Sequence, residues 1–206
     1  MNLKFTVVTV VFNGEAVIRK TIESLLNQEY APYEYLIFDG HSKDNTLKII
    51  DSYKEQFEKR GISFVVTSEK DTGIYNAMNK GVKAAKGDFI SFLNAGDWYE
   101  LDALKNINAF YREEPFELTY GGLHYINPNG TVTNKMSKND EHGIVTSRHW
   151  NHPSMFLTAE LYKQNGFDET FPAYADFNLY LKMRKQGVKI RVINKVITNF
   201  VADGVS

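Results

Sequence analysis

Cysteine is absent from the 206-residue chain, which excludes a disulfide framework and a thiolate metal site and suits a reducing cytoplasm. An excess of either charge is also missing: 24 Lys and Arg stand against 25 Asp and Glu, a formal net charge of −1. With no dense basic stripe in any window, neither nucleic acid nor anionic lipid is expected as the main ligand. No apolar run approaches the roughly 20 residues of a membrane span. The run from Phe5 to Phe12 is too short for a signal peptide and passes directly into Asn13-Gly14. The expectation is a soluble cytoplasmic protein, with peripheral association at the inner face of the plasma membrane left open. The dinucleotide fingerprint is lacking too. After the first apolar run the chain reads Asn13-Gly14-Glu15-Ala16, with neither G-x-G-x-x-G nor the Lys-Ser/Thr of a phosphate-cradling loop.

What is present is ample apolar material, 43% of residues, enough for one well-buried core and a single domain over 1–206. Phe5 to Phe12 reads as a strand, and Ile18, Ile22, Leu25 and Leu26 recur at helical spacing behind it. A second strand ends at Asp39-Gly40. Ser42 or Asp44 can cap the next helix, with Leu47, Ile50, Tyr53 and Phe57 as its apolar face and Gly61 as its stop. Ser63 to Thr67 is a third strand. The helix after Asp71-Thr72-Gly73 turns Ile74, Met78, Val82 and Ala85 inward and ends with Gly87 at the position after its C-cap. Asp88 to Leu93 is the fourth strand. Strands alternating with helices of this length predict right-handed crossovers and a mostly parallel, Rossmann-like sheet across 1–97.

The second half, 98–206, changes character. A helix over Leu101 to Arg112 precedes a hairpin, Phe116 to Ile126 and Thr131 to Thr133, around Asn127-Pro128-Asn129-Gly130. Residues 135–151 show no period and read as a loop at the crevice rim. Then follow a strand over Ser154 to Leu157, helices over Ala159 to Gln164 and Ala175 to Gln186, and a strand pair from Val188 to Val201. The fold class is thus α/β with a mixed, antiparallel C-terminal part.

Three acids stand just past buried strands: Asp39, Asp71 and Asp97. In an open parallel sheet the carboxyl ends of the strands line one crevice, so these side chains converge on whatever binds there. Asp39 can accept hydrogen bonds from a base or ribose, and Asp97 can hold a hard cation that neutralises a diphosphate.

The residues also form a longer pattern: Thr9-x-x-x-Asn13, Asp39-Gly40-x-Ser42-x-Asp44-x-Thr46, Glu69-x-Asp71-x-Gly73-Ile74-Tyr75-x-Ala77-Met78-Asn79-x-Gly81, and Phe92-Leu93-Asn94-Ala95-Gly96-Asp97. It continues through His152-Pro153, Gly166-Phe167-Asp168 and Ala175-Asp176-Phe177-Asn178-Leu179 to Gly204-Val205-Ser206. This resembles bacterial family 2 glycosyltransferases of the GT-A fold over nearly the whole chain. The resemblance implies transfer of a sugar from a nucleoside-diphosphate donor, UDP by default, with inversion. The acceptor hydroxyl would belong to a saccharide or lipid-linked saccharide of a cell-envelope, capsular or exopolysaccharide.

By the same resemblance Thr9, Asn13 and Asp39 would hold the nucleoside with Asp71 and Gly73 beside them. Asn79, Asn94 and His152 would contact substrate, Asp97 would bind Mg or Mn, and Asp176 would be the general base. A homodimer is compatible with this reading. Two departures stand out. A lone acid closes Asn94-Ala95-Gly96-Asp97 where relatives carry two or three, and Met78 precedes Asn79 where relatives often have Arg.

Plainer readings exist for single residues. Asp-Gly at Asp39 is a common turn pair, Asp44 reads best as a helix cap, Asp97 could cap the helix near Leu101, and Asp176 sits where an ordinary N-cap would. His41, His124, His142 and His149 lack metal-ligand spacing and read as surface or structural. Trp98 and Trp150 are candidates to stack on a sugar face. Rival functions are a sugar-nucleotide pyrophosphorylase, which should carry a glycine-rich basic loop after the first strand, and a non-catalytic nucleotide-sugar binder.

Overall fold

The computed structural model describes residues 2–138 and 150–202. Strand β1 (Phe5–Val11) is buried along its whole length, as a parallel strand covered on both faces must be. Its side chains still alternate with period two. Phe5, Val7 and Val11 enter one apolar cluster, Val8 and Val10 the other. The first cluster is closed by α1 (Ile18–Leu26), α2 (Thr46–Asp51), α3 (Lys54–Lys59) and α5 (Ala103–Glu113). The second is closed by α4 (Ile74–Ala84), α6 (Ala159–Asn165) and α7 (Ala175–Lys185). Helix α4 lies against β1 so closely that a Cβ at Gly81 would come within 2.6 Å of Val8.

Strands β2 (Glu34–Asp39), β3 (Ser63–Ser68) and β4 (Phe89–Phe92) run parallel to β1, with β1 between β2 and β4. The chain therefore steps from β1 to β2 and β3 on one side, then crosses to β4 on the other. That reversal opens a crevice at the carboxyl ends of β1 and β4. Beyond β4 the same sheet continues through β8 (Phe156–Thr158), β6 (Leu118–Ile126), β9 (Ile190–Val201) and the two-residue β5 (Trp98–Tyr99), while β7 (Val132–Lys135) forms a hairpin with β6. Here β4–β8, β8–β6, β6–β7 and β9–β5 are antiparallel and β6–β9 is parallel. The mixed α/β sheet foreseen from sequence is the one observed.

Several local expectations need correction. The helix expected over Leu47 to Phe57 is two, α2 and α3. At the break the Ser52 hydroxyl donates back to the Ile49 carbonyl at 2.6 Å, and Tyr53 turns inward to donate to Glu23 at 2.5 Å. Gly87 is not a left-handed helix terminator. It is needed because a Cβ there would meet the Lys4 carbonyl at 2.6 Å. The strand pair expected over Val188 to Val201 is the single strand β9. Its register against β6 slips between Tyr120 and Gly122, so Asn194 and Lys195 bulge outward instead of turning the chain. Strand β8 begins at Phe156 because His152–Ser154 forms a 3-10 turn with Pro153 in it. Of the loop expected over 135–151, Lys135 belongs to β7, and residues 139–149, with His142 and His149, lie outside the described residues, as do Gly204 to Ser206.

Candidate active site

The carboxyl end of β1 and the start of α4 enclose a cavity of about 120 Å³ lined by Val10, Val11, Phe12, Asp71, Ile74, Ala77 and Asn94. The loops around it are tied together by short side chains. Asp39, 2% exposed, accepts from the Ser42 amide at 3.0 Å, the Ser68 hydroxyl at 2.6 Å and the Ser42 hydroxyl. Asn13 has a left-handed backbone, φ 49, a conformation Asn tolerates. Its amide donates to the Ser42 hydroxyl at 2.8 Å and its side-chain oxygen accepts from the Lys43 amide at 2.8 Å. Asp44 caps Thr46 at 3.0 Å and also accepts from the Glu15 amide at 3.0 Å. Asp71 accepts from the Gly73 amide at 3.0 Å. Gly73 opens α4 with φ 140, which only glycine adopts readily.

A second cavity, about 350 Å³, shares Ile74 and Asn94 with the first and runs under α7 and the β6–β7 hairpin. Its apolar wall includes Tyr125, Trp150, Phe177 and Phe200, and its polar groups are Asn94, Lys135, Asn151, His152 and Asp176. Each oxygen of the Asp176 carboxylate has a polar neighbour at 3.2 Å: the Tyr75 hydroxyl donates to Oδ1, and His152 Nδ1 stands beside Oδ2. Burial holds His152 below its ordinary pKa against the raising effect of Asp176, which favours the neutral ring. Tyr75 is pushed up to about 12, by burial first and then by the Asp176 charge. The side-chain oxygens of Asn94 and Asn151, Nε1 of Trp150 and Nε2 of His152 are buried and have no hydrogen-bond partner among the described residues. Buried polar atoms of native proteins are nearly always paired, and the side chains that carry these four all line the second cavity.

Asp97 stands behind Asn94, its amide donating to the Asn94 carbonyl at 3.1 Å. Its carboxyl is 4% exposed, accepts from the Val201 amide at 3.0 Å, and is pushed up to about 7 by burial, that hydrogen bond pulling the other way. It is not the cap of α5, whose N-cap is Asp102. Among the described residues no three His, Asp or Glu side chains cluster as a metal site. One carboxylate suffices for a cation such as magnesium when phosphates and waters complete its shell; Asp97 lacks countercharge but lines neither cavity.

Other residues singled out from sequence lie elsewhere. Thr9 is fully buried beneath the crevice, donating to the Leu93 carbonyl at 2.7 Å and accepting from Tyr35 at 2.9 Å. Asn79 faces away from both cavities and clamps α4 to the 167–169 segment through Phe167 and Glu169. Trp98 lies under the Lys20 ammonium in a separate groove, 3.0 Å from ring centroid to nitrogen. His124 bonds Asn199 at 3.1 Å, and His41 sits at an exposed turn with φ 68. Sequence reasoning assigned no role to Tyr75 or Asn151. Tyr75 stood inside the quoted pattern, whereas nothing in the sequence marks Asn151.

A parallel half-sheet with its crevice at the reversal point, continued by antiparallel strands, is the architecture shared with the GT-A neighbours below. Residues 6–180 match the family described as glycosyl transferase family 2, and the chain belongs to that family. The pyrophosphorylase alternative falls with this membership. A Methanococcus voltae protein named dolichyl N-acetyl-alpha-D-glucosaminyl phosphate 3-beta-D-2,3-diacetamido-2,3-dideoxy-beta-D-glucuronosyltransferase is 30% identical over 92% of this chain and 64% of its own length. Staphylococcus aureus TarS in complex with UDP superposes with a TM-score of 0.79 at 22% identity, over 97% of this chain and 61% of that one. A Pyrobaculum calidifontis mannosyltransferase solved with GDP-mannose and Mn²⁺ gives 0.73 at 14% identity, over 100% and 59%. The chain thus spans less than two thirds of the length of each of these.

Proposed function

We propose that the chain is an inverting glycosyltransferase that moves a sugar from a UDP-sugar to an acceptor hydroxyl in cell-envelope polysaccharide synthesis, at the cytoplasmic side of the membrane. One observation carries the reading: a carboxylate held between the Tyr75 hydroxyl and His152 Nδ1, Asp176, on the wall of a cavity that shares Ile74 and Asn94 with the crevice of the parallel sheet. The nucleotide takes the crevice over β1, framed by Asn13, Asp39, Asp71 and Gly73. The sugar reaches past Asn94 toward Asp176.

In a single in-line displacement the acceptor oxygen attacks the anomeric carbon from the Asp176 side while the diphosphate leaves from the opposite side. Asp176 takes the hydroxyl proton on an oxygen whose second lone pair is unused. His152 and Tyr75 fix the carboxylate plane. Asp97 would hold a Mg²⁺ or Mn²⁺ ion, which supplies positive charge for the departing diphosphate. Alignment of the two substrates supplies much of the remaining rate.

The test is a thermal-shift and hydrolysis screen of nucleotide sugars with each metal. Stabilisation in proportion to occupancy, accompanied by slow donor hydrolysis, is the expected result. Donor binding without hydrolysis or transfer would favour the non-catalytic binder, and no binding by any nucleotide sugar would end the reading.

A further inference from the structure

The two tryptophans that could have met a sugar face do not offer one. Trp150 is 5% exposed and stacked between His152 and Tyr180, at 5.6 and 5.1 Å, and Trp98 is covered by Lys20. The second cavity is lined as well by Tyr174. At 70% exposure it is the most exposed large hydrophobic side chain among the described residues. It lies on the wall of that cavity, two residues before Asp176.

Its backbone is left-handed, φ 66 and ψ 16, at the N-cap of α7, with no capping hydrogen bond from its side chain. Among the described residues only Asn13 and His41 otherwise combine a side chain with positive φ, and those are residue types enriched there, whereas a bulky ring is an outlier. Neither burial nor capping explains a tyrosine in this place. Asn or Gly would serve the backbone better. Strain held without a local structural return is characteristic of ligand-contacting positions. Across the same cavity stand Tyr125 and Phe200, half-buried, with ring centroids 5.6 Å apart.

We infer that Tyr174 is the acceptor platform: its ring takes the C–H face of a pyranose unit and presents one of that unit's hydroxyls to Asp176. The acceptor is then a sugar ring, not an open-chain polyol or a bare lipid phosphate. A tyrosine suits this task because it offers a rigid, amphipathic face with few rotors to immobilise. The inference rests on Asp176 facing the acceptor, as read above.

Saturation-transfer NMR on the full chain with UDP present tests it, using methyl β-D-glucopyranoside, methyl β-D-galactopyranoside and methyl N-acetyl-β-D-glucosaminide against ribitol. The ring C–H protons of at least one pyranoside should saturate with the unaltered protein and with Tyr174→Trp, and about tenfold less with Tyr174→Asn. Ribitol should give no signal. Because Asn tolerates the left-handed backbone, Tyr174→Asn should also raise Tm by about 2–4 °C. Four results each overturn the platform: equal pyranoside signal in Tyr174→Asn, ribitol matching the pyranosides, no pyranoside signal from the unaltered protein, or a lowered Tm in Tyr174→Asn. Thermal shift with UDP-sugars on the same samples separates the two levels. Donor binding that survives a failed pyranoside result removes only the platform, whereas loss of donor binding and hydrolysis in the unaltered protein removes the transferase reading beneath it.

Discussion

The two halves of the sheet treat their polar groups in opposite ways. Over β1 to β3 the carboxylate of Asp39 has three donors and Thr9 and Asn13 are bonded to neighbouring segments, so these groups are satisfied without a ligand. Toward β6 and α7 the side-chain oxygens of Asn94 and Asn151, with Nε1 of Trp150 and Nε2 of His152, have no partner among the described residues. A fully bonded polar network rigidifies its surroundings, and an incomplete one carries a cost that a ligand can relieve. One half is therefore a scaffold and the other a socket. That division suits an enzyme that holds an invariant nucleotide on one side and reads sugars on the other.

The sharpest way to break this contrast is Asp176→Asn. It should lower kcat by about 10²–10⁴ while leaving donor affinity within about twofold, measured by initial rates alongside calorimetric titration; full activity would remove the base. Next comes Asp97, whose carboxyl is pushed up to about 7 by burial. The folded chain then binds the proton more tightly than the unfolded one, so the contribution of this group is complete below about pH 4 and is lost as pH rises through about 7. Without metal, Asp97→Asn should stabilise the protein at pH 8 by about 2–4 kcal/mol in urea unfolding. It should also abolish any metal-dependent gain in UDP-sugar binding.

Smaller effects follow for the two polar neighbours of Asp176. Tyr75→Phe and His152→Gln should each lower kcat about tenfold with the donor KM little changed, and an unaltered kcat would make the contacts incidental. The last pair contrasts scaffold with socket directly. Asp39→Asn should cost about 1–3 kcal/mol of stability because three donors lose a charged acceptor. Asn94→Ala should cost less than about 1 kcal/mol, since its oxygen has no described partner, yet weaken UDP-sugar binding about tenfold. Equal stability losses in both would erase the distinction.

How far these arrangements could be read from sequence follows their range along the chain. The β1–α1–β2 and β3–α4–β4 units were legible because strand alternation, helical spacing and turn residues are local signals. The two-residue β5 and the unbroken β9 were not, because the first exists only by pairing with Thr198 and Asn199 and the second only through a bulge against β6. Asp71, Asn94 and Asp176 could be placed by strand ends and family pattern. The contact of Asp176 with His152 and Tyr75 could not, since three different segments meet there. The placing of Trp98 in a groove apart from both cavities, under Lys20 of α1, could not be read either, since it depends on a contact between distant segments. The strained backbone of Tyr174 has no sequence signature at all.

The sheet passes from scaffold to socket through β8, three residues long, which pairs with β4 over Phe89 to Ser91 on one side and with β6 over Leu118 and Thr119 on the other. Side chains stitch what so narrow a backbone seam leaves open: Asn79 of α4 bonds Phe167 and Glu169, the Tyr75 hydroxyl donates to Asp176, and both apolar clusters draw residues from each side of it. Recombination between related genes at that point would have to carry matched side chains on both flanks, so the two parts are expected to drift in concert.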